Sequence, residues 1–172
     1  MLQVQRGLPK NVRNKPPGSK IIHMERELCF GQQRIRFDRE GTVLLYRDTI
    51  TVADAERCTC TSCKNFAAQR TNVFPEEFLR FLKELGVDPS REWGTFDYDF
   101  GPEDPHIHLY GGWFLFCGEL VEGSDRQTEL GAGTFAHWFT NSFPDSTLPK
   151  ELKLCAVEFL ARIPWILREK SE

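Results

Sequence analysis

From Lys20 onward the chain alternates apolar and polar residues in short runs, the two-residue period of half-buried strands. Ile21 to Phe30 predicts a strand that stops at Gly31. Arg34-Ile35-Arg36-Phe37 alternates charge with apolar bulk and predicts another. Asp38-Arg39-Glu40-Gly41 then reads as a turn, with Gly41 suited to a positive φ, and Thr42 to Tyr46 as the return strand of a hairpin. Thr49 to Val52 predicts a further short strand, and residues 93–99 one more. His106 to Leu120 reads as a strand pair or one bulged strand, since Gly111-Gly112 weakens a continuous ladder and predicts a bend. Gly131 to Phe139 and Leu152 to Leu167 are the last β segments. In the latter, Cys155, Val157, Phe159, Ala161 and Ile163 share a face, and Pro164 places the far end on a sheet edge or in a bulge.

Two segments depart from the β period. Residues 64–71 predict a short helix. Pro75 to Leu85 predicts the clearest one, with Phe78, Phe81, Leu82 and Leu85 on one stripe. Pro75 suits its first turn, Glu76 and Glu77 sit beside the positive end of the dipole, and Gly86 with Val87 suits a left-handed C-terminal cap. Gly101, Pro102 and Pro105 mark a turn. The pattern predicts an α+β fold: a largely antiparallel sheet with one or two helices on a face, in one domain over residues 20–172.

Residues 1–19 stand apart. Arg6, Lys10, Arg13, Lys15 and Lys20 fall in a stretch without an acid, and Pro9, Pro16 and Pro17 forbid a long helix, so this reads as a flexible basic arm. No apolar run follows these charges, which argues against a secretory signal, and none is long enough to span a membrane. The 172 residues allow one substantial core, and the 14 Phe and 4 Trp supply much of its volume. A net charge of −3 argues against sequence-independent nucleic-acid binding, which needs a basic face.

The candidate chemistry begins with Cys58, Cys60 and Cys63, three soft ligands within six residues. Six cysteines without an export signal are too few for a disulfide scaffold and point to a reducing cytoplasm. There such a cluster suits zinc, which takes four tetrahedral ligands. No fourth is local, so Cys29, Cys117, His106 or His108 would have to arrive from elsewhere. The blander reading is buried thiols. A third is redox chemistry at Cys60-Thr61-Ser62-Cys63, a C-x-x-C step ahead of a helix, although the preceding strands lack the βαβ context.

Glu92, Asp97, Asp99, Glu103 and Asp104 form an acidic stretch over residues 92–104 that holds no Lys or Arg, readable as a solvated face or as a contact surface for a basic protein partner. His106 and His108 share a strand face with Tyr110. An enzyme would use one of them as base with Asp97 or Asp99 as its partner; ordinary hydrogen-bonded histidines are the alternative. His137, between Phe135 and Phe139, reads as a core histidine. Tyr110, Gly111, Gly112 and Trp113 would either line a ligand groove or form a bent core strand.

Four pieces carry a resemblance: CTCTSCKNF from Cys58, the FPEEFLRFLKELGVDPSREW stretch, YGGWFLFCGEL and AVEFLARIPWIL. Over roughly residues 55–167, one domain length, the chain resembles a group of uncharacterised bacterial proteins that share a Cys-rich knot before a helix and a YGGW strand. The resemblance implies a bacterial, cytoplasmic protein and assigns no catalytic residue. The expected function is a small interaction domain, immunity-like or inhibitor-like by analogy, with a Cys loop stabilised by zinc. The alternative is a small hydrolase-like or thiol-redox enzyme using the His/Asp set or Cys60 and Cys63.

Overall fold

The computed structural model describes residues 25–98, 104, 106–123, 127–142, 148 and 152–168. The basic arm at 1–19 and the turn of Gly101, Pro102 and Pro105 lie outside them. The fold is α+β, with a largely antiparallel seven-stranded sheet and four packed helices.

β1 (Glu25–Phe30) and β2 (Gln33–Asp38) form the hairpin, joined through Gly31 and Gln32 with Phe30 opposite Gln33. Gly31 has φ +59°, which the turn requires and most side chains disfavour. The expected turn at 38–41 and return strand at 42–46 are instead helix α1 (Arg39–Asp48). Asp38 is its N-cap and accepts from the Gly41 backbone N–H at 3.0 Å. Thr42, Leu45 and Tyr46 are buried at helical spacing, and Ile50, in the segment expected to be a strand, is buried just beyond the helix end.

Helix α2 (Asp54–Arg57) is a single turn, α3 runs Thr61–Val73, and α4 runs Glu76–Leu85. α3 contains the short helix expected at 64–71. α4 matches its expected span, and Gly86 closes it at φ +82° while Val87 N–H donates to Leu82 C=O.

β3 (Gly94–Asp97) leads to β4 (Ile107–Glu122), the sixteen-residue strand around which the sheet is built. The first half of β4 pairs with β3 and its end with β2, on one edge; β7 (Leu154–Pro164) covers its other edge. β6 (Phe135–Thr140) follows β7, and the three-residue β5 (Thr128–Leu130) ends the row. Residues 131–133, expected in a strand, form a short 3₁₀ turn. Between the β3 and β2 pairings, α1 occupies the open edge of β4, and Thr42 Oγ1 accepts from Cys117 N–H.

The register passes unbroken through Gly111 and Gly112, so no bulge forms there; the shift lies between Arg34 and Ile35 in the β2–β4 ladder. β7 lies between β4 and β6, but the β6 pairing stops at Phe135 with Ala161, so at Pro164 the strand pairs with Ile107 of β4 alone and its far end is an edge, as expected.

One sheet face packs on the helices. The expected stripe of Cys155, Val157, Phe159, Ala161 and Ile163 is buried there. Phe74 meets Phe159 edge-on at 5.1 Å, Phe78 lies 4.8 Å from Phe135, and Phe81 lies 5.4 Å from Phe139. This aromatic layer holds α3, and with it the cysteine loop, against β4 and β7.

Candidate functional site

The three cysteines sit where α2 gives way to α3. Cys58 and Cys60 are extended, which turns the chain, and Cys63 lies in the first turn of α3. Cys60 is the N-cap of α3, and its Sγ accepts from Cys63 N–H at 3.4 Å. Neighbouring contacts fix the corner. Asp54 N–H donates to Glu92 C=O, Thr95 N–H donates to the Asp54 carboxylate, and the Arg57 guanidinium lies 5.5 Å from the Trp93 ring centre.

All three Sγ atoms lie within 4.8 Å of one another, and those of Cys58 and Cys60 are 3.2 Å apart. The thiols are free. A tetrahedral ion bonded to sulfur at about 2.3 Å sets its sulfurs about 3.8 Å apart, so the cluster is able to hold a metal. Cys58 is exposed, Cys60 half-buried and Cys63 buried, so one side of the sulfur triangle opens to solvent. Hydrogen bonds from Cys60 hold the Cys58 thiol below its usual range, while burial pushes Cys63 up.

None of the expected fourth ligands joins the cluster among the described residues. Cys29 is exposed on edge strand β1. Cys117 lines a separate cavity beside Asp38 and Gly41, and burial raises its thiol to about 11. His106 is exposed, and His108 turns its Nδ1 to Asp97.

That contact belongs to a second cluster. The register places Asp97 of β3 opposite Tyr110 of β4, one step along the same face from His108. His108 Nδ1 and Ser62 Oγ both meet Asp97 Oδ2, at 2.8 and 3.0 Å. Tyr110 donates its hydroxyl to Ser62 C=O and receives Asn65 Nδ2. Asn65, fully buried, also donates to Pro164 C=O and accepts from Ile166 N–H. Ser62 and Asn65 thus anchor the start of α3 to the sheet. Neither stands out in the sequence, because a buried polar anchor has no spacing signature. Ser62 reaches the carboxylate and not the imidazole, and Asp97 and His108 are buried, so the three do not have the order of a nucleophile activated by a base.

Two acids of the expected surface, Glu92 and Asp97, are buried. Glu92 is 0% exposed. It lies 2.9 Å from Arg70 Nε and accepts from Ala55 N–H, which makes it a buried link between α3, α2 and β3. Removal from water pushes its carboxyl up despite the guanidinium. Asp97 is buried as described, Asp104 is exposed, and Asp99 and Glu103 lie outside the described residues.

Of the two readings of Tyr110, Gly111, Gly112 and Trp113, packing around the glycines favours the core strand over the groove. A Cβ on Gly111 would strike the rings of Phe96 and Tyr98, and one on Gly112 would strike Gly94 C=O and Phe159. Two described cavities, of about 400 and 300 Å³, lie elsewhere, one beside Arg36 and Lys153 and one beside Gln69 and Arg162. His137 is 1% exposed among Phe30, Phe78, Phe135 and Phe139, with burial lowering its pKa to about 4.

No helix among the described residues is long and apolar enough to cross a membrane. Comparison with models of known protein families, with curated proteins and with solved structures finds no match.

Proposed function

We propose that this protein is a non-enzymatic interaction domain whose α2–α3 corner is pinned by zinc bound to Cys58, Cys60 and Cys63. The convergence of three sulfur atoms at the solvent-facing start of α3 carries the reading. Three thiolates gathered this closely repel one another, and a divalent cation offsets that repulsion. With three protein ligands, the fourth position is left to water or to a donor from a partner. The site would be structural: the loop it closes positions α3 on the sheet.

The His108–Asp97 contact favours the enzyme reading on one count, since a carboxylate orients the imidazole. Burial of both groups and the packing around Gly111 and Gly112 weigh against it. The dithiol reading is weaker still. It needs a reactive thiol inside C-x-x-C, whereas the thiol favoured as thiolate is Cys58, outside that step.

Elemental analysis of protein purified without an affinity nickel column tests the proposal. The expected result is about one zinc per chain, lost in Cys58→Ser or Cys63→Ser, with a fall in melting temperature on chelation. Protein that stays metal-free after dialysis against zinc would overturn it.

A further inference from the structure

The sheet face turned away from α3 and α4 carries a carboxylate among aromatic rings. Glu158, in the middle of β7, is opposite Trp113 of β4 on one side and Trp138 of β6 on the other. Directly opposed residues of antiparallel strands share a face, with Cβ atoms about 5 Å apart. The row across the sheet therefore reads Trp-Glu-Trp. Glycines make room for more rings beside it. The Trp113 indole lies across Gly94, and Phe96 and Tyr98 lie over Gly111. Phe96 stands 5.6 Å from Trp113 and edge-on to Tyr98 at 4.7 Å. Tyr98 is 38% exposed, and Trp113, Trp138 and Glu158 are half-buried, so the cluster is open to solvent.

Glu158 has neither an ion pair nor a hydrogen bond among the described residues. Arg162, on the same face, makes no ion pair with it. Partial burial raises the Glu158 carboxyl, and its charge contributes to raising the Tyr98 hydroxyl. A half-desolvated carboxylate without a partner is costly, and the ligand that offsets the cost is a cation. An apolar ligand would leave the charge unmet, and a strongly hydrated ion would gain little from the rings. Guanidinium suits both features: it is planar, weakly hydrated, stacks on aromatic faces and pairs with a carboxylate through two N–H groups.

We propose that Glu158, Trp113, Trp138 and Tyr98 form a recognition site for an arginine side chain of a protein partner. This rests on the interaction-domain reading for its partner and not on the metal.

The test is an NMR titration of ¹⁵N-labelled protein with acetyl-Ala-Arg-Ala-amide, and with peptides carrying citrulline or lysine instead. The arginine peptide should give saturable shifts of the Trp113 and Trp138 indole N–H signals and leave those of Trp93 and Trp165 in place. Citrulline, which lacks the charge, and lysine, which lacks the planar fork, should each bind about fivefold more weakly or worse. Glu158→Gln, with the backbone spectrum of the folded protein, should lose the preference for arginine. Equal binding of arginine and citrulline, a lysine peptide that binds as tightly, full binding by Glu158→Gln, or unmoved indole signals would each overturn the assignment. Zinc content measured on the same samples separates the two proposals: zinc-loaded protein that ignores the arginine peptide defeats only this one, and metal-free protein that binds it defeats only the metal.

Discussion

His137 brings two ring nitrogens into an aromatic layer where neither finds a hydrogen-bond partner among the described residues. Burial therefore holds it neutral, with a pKa near 4 against an ordinary value of 6.5. The unfolded chain takes up this proton first as pH falls, so the fold loses stability between pH 6.5 and about 4, and the contribution is intact above that window. At pH 5 the loss amounts to about 2 kcal/mol. His137→Phe removes the titration and the unpaired N–H at similar bulk. Its stability relative to the wild type should be about 2 kcal/mol better at pH 5 than at pH 7.5 by urea unfolding. An equal difference at the two pH values would show that this imidazole titrates normally. The same desolvation argument separates the acids. Glu92 is buried but tied to Arg70, so it serves the fold, whereas Glu158 is half-buried with no ion pair among the described residues, which is why the arginine proposal centres on it.

At the scale of elements, the chain was most readable where one period dominated. The α4 stripe of Phe78, Phe81, Leu82 and Leu85 and the β7 stripe from Cys155 to Ile163 are both buried as their spacing predicts. Gly86 shows why that helix ends where it does. Its φ of +82° is left-handed, and a Cβ there would come 2.7 Å from Arg39 C=O of α1. Gly86→Ala should cost about 1–2 kcal/mol in thermal unfolding, from the strained φ together with the clash; a loss below about 0.3 kcal/mol would show that the α1–α4 contact gives way. The sequence of α1 reads as turn and strand because Asp-x-x-Gly marks a turn and a helix start equally well, and Thr42, Val43 and Tyr46 have strand composition. Packing decided it: a strand at 42–46 could not bury Thr42, Leu45 and Tyr46 together, and a helix can. The candidate metal site was legible because its ligands are local. The Ser62–Asp97–His108 cluster is only half visible in the sequence, since strand spacing points to His108 and Asp97, whereas Ser62 reaches Asp97 only when α3 packs on β3. The Trp-Glu-Trp row was invisible, because it needs the β4–β7–β6 register to assemble.

At the scale of the whole molecule, one side chain links strands that the ladder order keeps apart. Gln33 belongs to β2 and Phe139 to β6, with β4 and β7 between them in the sheet. Yet Gln33, 2% exposed, accepts from Phe139 N–H at 2.8 Å and donates to Phe139 C=O at 3.1 Å. Its amide takes the place of a neighbouring strand, since β5 pairs with β6 only through Thr128–Leu130 and leaves Phe139 uncovered. Gln33 also donates to Gly123 C=O, where β4 ends. The sheet is thus curled until its second and fifth strands in order meet, and the Phe30 ring, one turn earlier, reaches His137 at 4.7 Å. Removing the amide strands a buried donor and acceptor, each worth about 1–3 kcal/mol, so Gln33→Ala should lose about 2–4 kcal/mol in urea unfolding. Gln33→Glu gives the sharper test. An ionised carboxylate can accept from Phe139 N–H but cannot donate to its C=O, and no ion pair with a cation is available to it among the described residues. Its pKa must rise, so the variant should lie below Gln33→Ala at pH 7.5 and recover as the pH falls and the acid regains an O–H donor. If Gln33→Glu kept wild-type stability at pH 7.5, the strands would have to meet without this link, and the curl would belong to the aromatic layer alone.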